Sequence, residues 1–290
     1  MKVTGFSFIR NAQIYDYPIV EAITSILPLC DDFVVAVGKS DDNTLDLIRS
    51  IAPEKIRIVE TVWDDSLREG GQVLAIETNK AFQAIAAETD WAIYIQGDEV
   101  IHEKYLPEIR KAMQANLNNS EIDGLLLNYL HFYGSYDYVG AASRWYRREI
   151  RVVRNNKKIY SYRDAQGFRK NDNEKLRVKL IDAYVYHYGW VKEPAAMQRK
   201  QENFNKYWHD DAWVDKNIAK SDAFDYSQVD ALKKFDGTHP QVMHERIAQK
   251  NWKFDHDLSY NNYKTKDKIK FFIEKVTGYR IGEYKNYKIV

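Results

Sequence analysis

Short, nearly continuous apolar runs alternate with helical stripes from the start of the chain to about Gly134. "VTGFSFIRNA" reads as a strand ending near Arg10. "DYPIVEAITSIL" reads as a helix that Asp16 can cap, with Pro18 in its first turn and Ile19, Ile23 and Ile26 on one face. "DFVVAVG" is a second strand, followed by a helix over "SDDNTLDLIRSI" with cap candidates from Ser40 to Asn43. "KIRIVETVW" is a third strand, and the helix "GGQVLAIETNKAFQAIAAE" opens at Gly70-Gly71. "WAIYIQGDE" is a fourth strand, "EKYLPEIRKAMQANL" a further helix and "IDGLLLNYLHFYG" a further strand. Strands that alternate with helices through short connections predict an α/β fold, a mostly parallel central sheet covered by helices.

The pattern changes after Gly134. "REIRVVR" and "AYVYHYGW" predict more strands, and "PAAMQRKQENFNKYWHDD" a helix. Residues 209–263 mix His, Asp, Trp and Asn with little periodicity. "KDKIKFFIEKV" carries Ile269, Phe272, Ile273 and Val276 at helical spacing. The expected organisation is a main domain over residues 1–195 and a helical C-terminal extension over 196–290.

Composition narrows the class. A hydrophobic content of 44% and a charged content of 29% suit a globular protein, and a net charge of +1 gives no reason to expect nucleic-acid binding. A single cysteine, Cys30, excludes an intrachain disulfide and a cysteine-rich zinc site, and is expected to be buried. The N-terminal apolar run is interrupted by Arg10 and Asn11 too early for a signal peptide, and no stretch approaches the ~18 apolar residues of a membrane span. A cytoplasmic protein is expected. From Lys264 to Val290 eight Lys/Arg stand against three Asp/Glu. Two readings follow for that C-terminal basic helix: a solvated face, or peripheral contact with an anionic membrane surface at the inner face of the membrane.

Several chemistries are excluded by missing motifs. There is no P-loop, no G-x-G-x-x-G after the first strand, no H-E-x-x-H and no G-x-S-x-G. What remains is polar residues at strand ends: Arg10-Asn11; Gly38 to Asp42; Trp63-Asp64-Asp65 with Arg68 soon after; and Gln96-Gly97-Asp98-Glu99. In a parallel sheet such ends converge on one crevice.

The ordered segments "GFSFIRNA", "PIVEAI", "VVAVGKSDDNT", "IETNKAF" and "DWAIYIQGDEVI" resemble family 2 glycosyltransferases of the GT-A fold over roughly residues 4–190. The resemblance implies transfer of a sugar from a nucleotide-sugar donor (UDP-, GDP- or dTDP-linked) to a glycan or lipid-linked acceptor, with inversion, in surface polysaccharide or lipopolysaccharide assembly. It also implies a divalent metal ion, Mn²⁺ or Mg²⁺, because a leaving nucleoside diphosphate gathers charge that a hard cation neutralises. The family's D-x-D triplet falls on Gln96-Gly97-Asp98. Asp98 then holds the metal and His187 completes its site, whereas Gln96 supplies an amide where the family has a first carboxylate. That leaves metal dependence open. Glu99 and Gly97 line the donor pocket, with Arg10, Lys39, Arg68 and Asn79 as donor contacts. Asp42-Asn43-Thr44 matches the family's D-G-T, although for Asp42 a helix cap is the favoured reading.

Inverting transfer needs a general base near the attacking hydroxyl. Asp164 in "YSYRDAQGFR" is the candidate, and pairing with Arg163 or Arg169 is its structural alternative. Arg147 and Arg148 are candidates for an anionic acceptor. Trp190, with Tyr133, Trp145 and Trp208, forms either sugar-stacking walls or core. Two other functions remain open: a sugar nucleotidyltransferase, and a non-catalytic nucleotide- or sugar-binding protein of the same fold.

Overall fold

The runs "FVVAV" and "WAIY" are apolar at every position because both faces of their strands are covered. The computed structural model describes residues 1–218, 220–227, 229, 231–260 and 265–290. In it β1 (Val3–Ile9), β2 (Asp32–Gly38), β3 (Ile56–Thr61) and β4 (Trp91–Tyr94) form a parallel array in the order β3-β2-β1-β4. Crossovers run through α1 (Ile19–Ile26), α2 (Thr44–Ile51) and α3 (Gln72–Gln83). Phe33, Val35 and Val37 of β2 and Trp91 and Ile93 of β4 share one apolar layer with Ile23 and Ile26 of α1 and Ile48 of α2. The intervening Val34, Ala36, Ala92 and Tyr94 pack on the opposite face with Ala81 and Phe82 of α3. Side chains that alternate faces at every residue thus turn an unbroken apolar run into two core layers.

The rest of the chain extends this sheet. β5 (Glu99–Ile101) precedes α4 (Leu106–Ala115), and the strands β6 (Gly124–Tyr133), β7 (Ser135–Gly140), β8 (Arg148–Arg154), β9 (Ile159–Tyr162), β10 (Gly167–Lys170) and β11 (Glu174–Trp190) follow. The main path is β3-β2-β1-β4-β8-β6-β11-β10-β9, with β8 antiparallel to both β4 and β6, and β11 parallel to β6. The fold is therefore α/β as expected, parallel through β4 and mixed beyond it. The C-terminal segment adds α5 (Pro194–Phe204), α6 (Asp211–Asn217), β12 (Leu232–Lys234) on β7, α7 (His244–Ala248), α8 (Thr265–Thr277) and β13 (Tyr287–Ile289) on β11.

Two local expectations differ from the structure. The fourth strand stops at Tyr94, the chain bends through 95–98, and Glu99 begins β5, antiparallel to β11 with Glu99 opposite His187. Asp16 does not cap α1: it adopts a left-handed φ of 48° and pairs with Arg246 at 2.6 Å. Cys30 is buried. Among the described residues, no helix is long and apolar enough to cross a membrane.

Candidate active site

The carboxyl ends of β1 and β4 open on a cavity of about 410 Å³. Of the residues selected from sequence, Arg10, Gln96, Gly97, Asp98, Asp164, His187 and Trp190 line it. Parallel strands bring the first four to one edge, the β9–β10 turn supplies Asp164, and the end of β11 supplies His187 and Trp190. Tyr15, Tyr17, Trp63, Phe204, Tyr207 and Trp208 complete largely aromatic walls. The last three arrive on α5 and the turn after it, so the C-terminal segment closes one side of the cavity.

The floor is an ordered chain of polar contacts. Lys200 on α5 donates to Asp98 Oδ2 at 3.1 Å and to the Gly189 carbonyl at 2.9 Å. A Cβ at Gly189 would stand 2.7 Å from Asp98 Oδ2, so only glycine allows this approach. Burial works against the Asp98 carboxylate, but Lys200, His187 and Lys192 together outweigh it and hold the carboxyl well below its usual range. His131 Nε2 faces the Tyr146 carbonyl at 2.8 Å, and its Nδ1 lies 3.2 Å from His187 Nδ1. Burial keeps both imidazoles neutral, His131 being pushed down to about 3. A carbonyl only accepts, so His131 carries its proton on Nε2 and accepts from His187 Nδ1–H. His187 Nε2 is thereby left as a lone pair, 3.7 Å from Asp98 Oδ1. Lys192 is fully buried behind this floor, and desolvation together with Lys200 pushes it down to about 7.

Asp164 sits in a turn whose two flanking residues are left-handed, Arg163 at φ 56° and Ala165 at φ 63°. Non-glycine residues hold that conformation only where the surroundings fix it. Gln96 helps: its amide donates to the Ala165 carbonyl at 3.1 Å and to Tyr94 Oη at 3.2 Å. Gly71, at φ 67°, makes room, since a Cβ there would meet Asp164 Cβ at 2.8 Å. Burial raises the Asp164 carboxyl above its ordinary value, the direction a general base needs. Asp164, Gln166 and Trp208 also line a second cavity with Tyr162, Tyr284 and Gln72, so Asp164 stands at the junction of the two. Across the main cavity, Arg10 is clamped by Asp65 at 2.6 Å and lies 5.7 Å from the Trp63 ring, while its buried Nε has no partner among the described residues.

Other expected contacts fall elsewhere. Glu99 does not line the cavity: it is fully buried against Arg151, at 2.7 and 2.8 Å, and accepts from Tyr129 at 2.8 Å. Lys39 and Asp42 line a separate cleft beyond β2 with Arg49 and Glu60. Asp42 is a backbone clamp there, accepting from the amides of Gln13 and Ile14 at 2.9 Å and of Thr44 at 3.0 Å. Arg68 pairs with Asp211, Asn79 brackets the Ser161 backbone, Arg147 pairs with Glu274 and Glu283, and Arg148 bonds Asn128. Tyr133 and Trp145 pack among aromatic neighbours, whereas Trp190 and Trp208 reach the cavity. Lys200, His131 and Lys192 were not anticipated. Nothing in "QRKQENF" separates Lys200 from Arg199 beside it.

No protein-family model matches the chain, and no curated protein matches it. Among solved structures the chain is similar to S. aureus TarS, at 14% identity and a TM-score of 0.40, over 70% of this chain and 39% of that one. It therefore spans about two fifths of the TarS chain. It is also similar to 4-diphosphocytidyl-2C-methyl-D-erythritol synthase from Anaerococcus prevotii, at 12% identity and a TM-score of 0.38, over 71% of this chain and 94% of that one. A third is glucosyl-3-phosphoglycerate synthase from Mycobacterium tuberculosis, crystallised with Mn²⁺, UDP and phosphoglyceric acid, at 22% identity and a TM-score of 0.30, over 45% of this chain and 43% of that one. These likenesses are distant, and the roles assigned below rest on the geometry above.

The residues present do not fit a resident divalent cation. Asp98 and His187 are two donors, and no cluster of three or more His, Cys, Asp or Glu suited to a metal occurs among the described residues. Gln96 brings no charge, and the second oxygen of Asp98 already holds an ammonium at 3.1 Å. A dication bound to Asp98 would face that fixed positive charge at close range.

Proposed function

We infer that the chain transfers a glycosyl group from a nucleotide-sugar donor to a glycan or lipid-linked hydroxyl. The observation that carries this reading is the placing of Asp164 at the junction of two cavities, one of which also holds the Asp98–Lys200 floor. That main cavity suits the donor. Its aromatic walls match a base and a sugar face, and the free Arg10 Nε and the Lys200 ammonium match a diphosphate. The second cavity admits the acceptor and delivers its hydroxyl to Asp164, in place of a role for Arg147 and Arg148.

In this reading the acceptor oxygen attacks the anomeric carbon as its proton passes to the Asp164 carboxylate. The bond between the anomeric carbon and the diphosphate breaks, and its electron pair leaves on the phosphate oxygen. The anomeric centre inverts because the displacement is direct. Calorimetric titration with UDP, GDP, dTDP and CMP names the donor class, followed by turnover of the matching nucleotide sugars. Asp164→Asn is expected to keep nucleotide affinity while turnover falls by about 10²–10⁴-fold. Binding without turnover on any donor and acceptor pair would turn the reading toward a binding protein.

A lipid-linked acceptor suits the C-terminal helix. α8 exposes Ile269, Phe272 and Val276 at 58%, 66% and 67%, one stripe set among Lys266, Lys268, Lys270 and Lys275. An apolar stripe flanked by lysines matches an anionic lipid surface. Co-sedimentation with anionic vesicles, reduced by Phe272→Ser, is the expected result. Equal recovery with neutral and anionic vesicles would remove this part.

A further inference from the structure

A glycosyl-transfer site has to neutralise the diphosphate that leaves, and the cavity floor already carries a positive charge placed to do so. The Lys200 side chain is only 8% exposed, yet its ammonium reaches the cavity lining. Two of its three N–H donors are taken by Asp98 and the Gly189 carbonyl, which leaves the third for a ligand. The rings of Tyr17 and Phe204 lie 5.0 and 5.7 Å from Nζ, within cation–π range. Asp98 fixes the ammonium through a charge-assisted bond, and the glycine at 189 leaves space for both.

The charge count agrees. Two carboxylates with a dication sum to zero, and so do one carboxylate and one ammonium. Gln96 stands where the resemblance calls for the first carboxylate, and its amide is engaged in holding the Asp164 turn. One negative charge is missing from the strand end, and one fixed positive charge has arrived from α5. Each departure raises the local charge by one, and together they supply the two positive charges that a dication would bring.

We propose that Lys200 takes the place of a divalent cation at this site: its ammonium binds the donor's diphosphate and stabilises it as a leaving group, so the site works without metal. The inference rests on the glycosyl-transfer reading for the identity of the donor. The step moves no proton from Lys200. As the bond between the anomeric carbon and the phosphate oxygen breaks, the electron pair remains on that oxygen, and the ammonium donates a hydrogen bond to it. The acceptor's proton still goes to Asp164. Asp98 is a positioning residue here, since it aims the ammonium.

The test uses inorganic pyrophosphate, which has neither base nor sugar, titrated calorimetrically into the full chain in EDTA and again in excess Mn²⁺. The expected result is binding in EDTA of similar strength to that in Mn²⁺, about tenfold or more weaker in Lys200→Met and largely kept in Lys200→Arg. The wild-type comparison needs no variant, so a folding defect in Lys200→Met leaves it intact. Binding only with Mn²⁺, or none in either buffer, overturns the proposal. So does unchanged binding in a folded Lys200→Met, or a wild-type site for Mn²⁺ alone that Asp98→Asn removes. Failure of the glycosyl-transfer reading is distinct: pyrophosphate would bind through Lys200 while no nucleotide sugar is turned over.

Discussion

Asp98 faces the cavity, where Lys200 meets one of its oxygens and the other lies open toward His187. Glu99, the next residue, lies inside the sheet with both oxygens held by the Arg151 guanidinium and a further bond from Tyr129. Both are carboxylates beside a cation, but their surroundings assign opposite work. The floor pair borders a cavity and leaves bonding capacity over on both partners. The sheet pair is 0% exposed on both sides, has the forked geometry of a guanidinium–carboxylate contact, and lies between the rings of Tyr94 and Tyr129, 5.1 and 5.3 Å from Arg151. A pair saturated by the protein holds the fold. A pair left unsaturated at a cavity is available to a ligand.

The largest effect that tests this contrast is on stability. Glu99→Ala is expected to cost about 3–5 kcal/mol in urea unfolding, because it strands the Arg151 guanidinium without a counter-charge in the core. A loss under about 1 kcal/mol would mean that Arg151 finds another partner or water, and the two pairs would no longer differ in kind.

Glu149 on β8 sharpens the contrast, as a buried carboxyl with no cation of its own. Gln166 donates to its Oε1 at 2.8 Å, and its Oε2 is buried without a partner among the described residues. Burial pushes it from an ordinary value of 4.5 up to about 8, so it is held protonated at neutral pH. An unfolded chain releases this proton above pH 4.5, whereas the folded chain keeps it to about 8. The contribution of Glu149 to stability therefore falls as pH rises through that window, by up to about 1.4 kcal/mol per pH unit. Glu149→Gln keeps the shape without the ionisation and is expected to flatten the profile of urea midpoints. A wild-type minus Glu149→Gln difference that does not change across the window would show Glu149 ionised and paired, a second Glu99.

The legibility of the molecule divides along the same line. The α/β class could be read because strand and helix periods are local properties. The gathering of Arg10, Gln96 and Asp98 could be read because parallel strands send their ends to one edge. Neighbouring strand residues point to opposite faces, so the sequence itself argued against Asp98 and Glu99 sharing a pocket. That argument needed the knowledge that a new strand begins at Glu99. The bend comes from pairing with β11, some 85 residues on, as in the register of Glu99 with His187. Lys200 was hidden for a related reason. A helix pattern shows that α5 is a helix but not which cavity it covers, and nothing local sets one lysine apart. Arg147 and Arg148 looked like an anion site because charge is visible in sequence and its partners, Glu274, Glu283 and Asn128, are not.

The smallest expected effect closes the comparison. Asp98→Asn is nearly isosteric, and Lys200 keeps its bond to the Gly189 carbonyl and its access to the cavity. Its cost in urea unfolding at neutral pH is expected to be about 1–3 kcal/mol, below that of Glu99→Ala, because the nearly buried Lys200 ammonium keeps a carbonyl partner and borders the cavity. Because the Asp98 carboxyl is depressed in the folded chain, the pair's contribution is present above the ordinary carboxylate range and is lost as pH falls toward the depressed value. The wild type and Asp98→Asn should therefore converge in stability as the pH is lowered, with any gap confined to the neutral side. A cost equal to that of Glu99→Ala would make the floor pair a second structural lock. Lys200 would then be held in place for the fold, and its third N–H would lose its claim on a ligand.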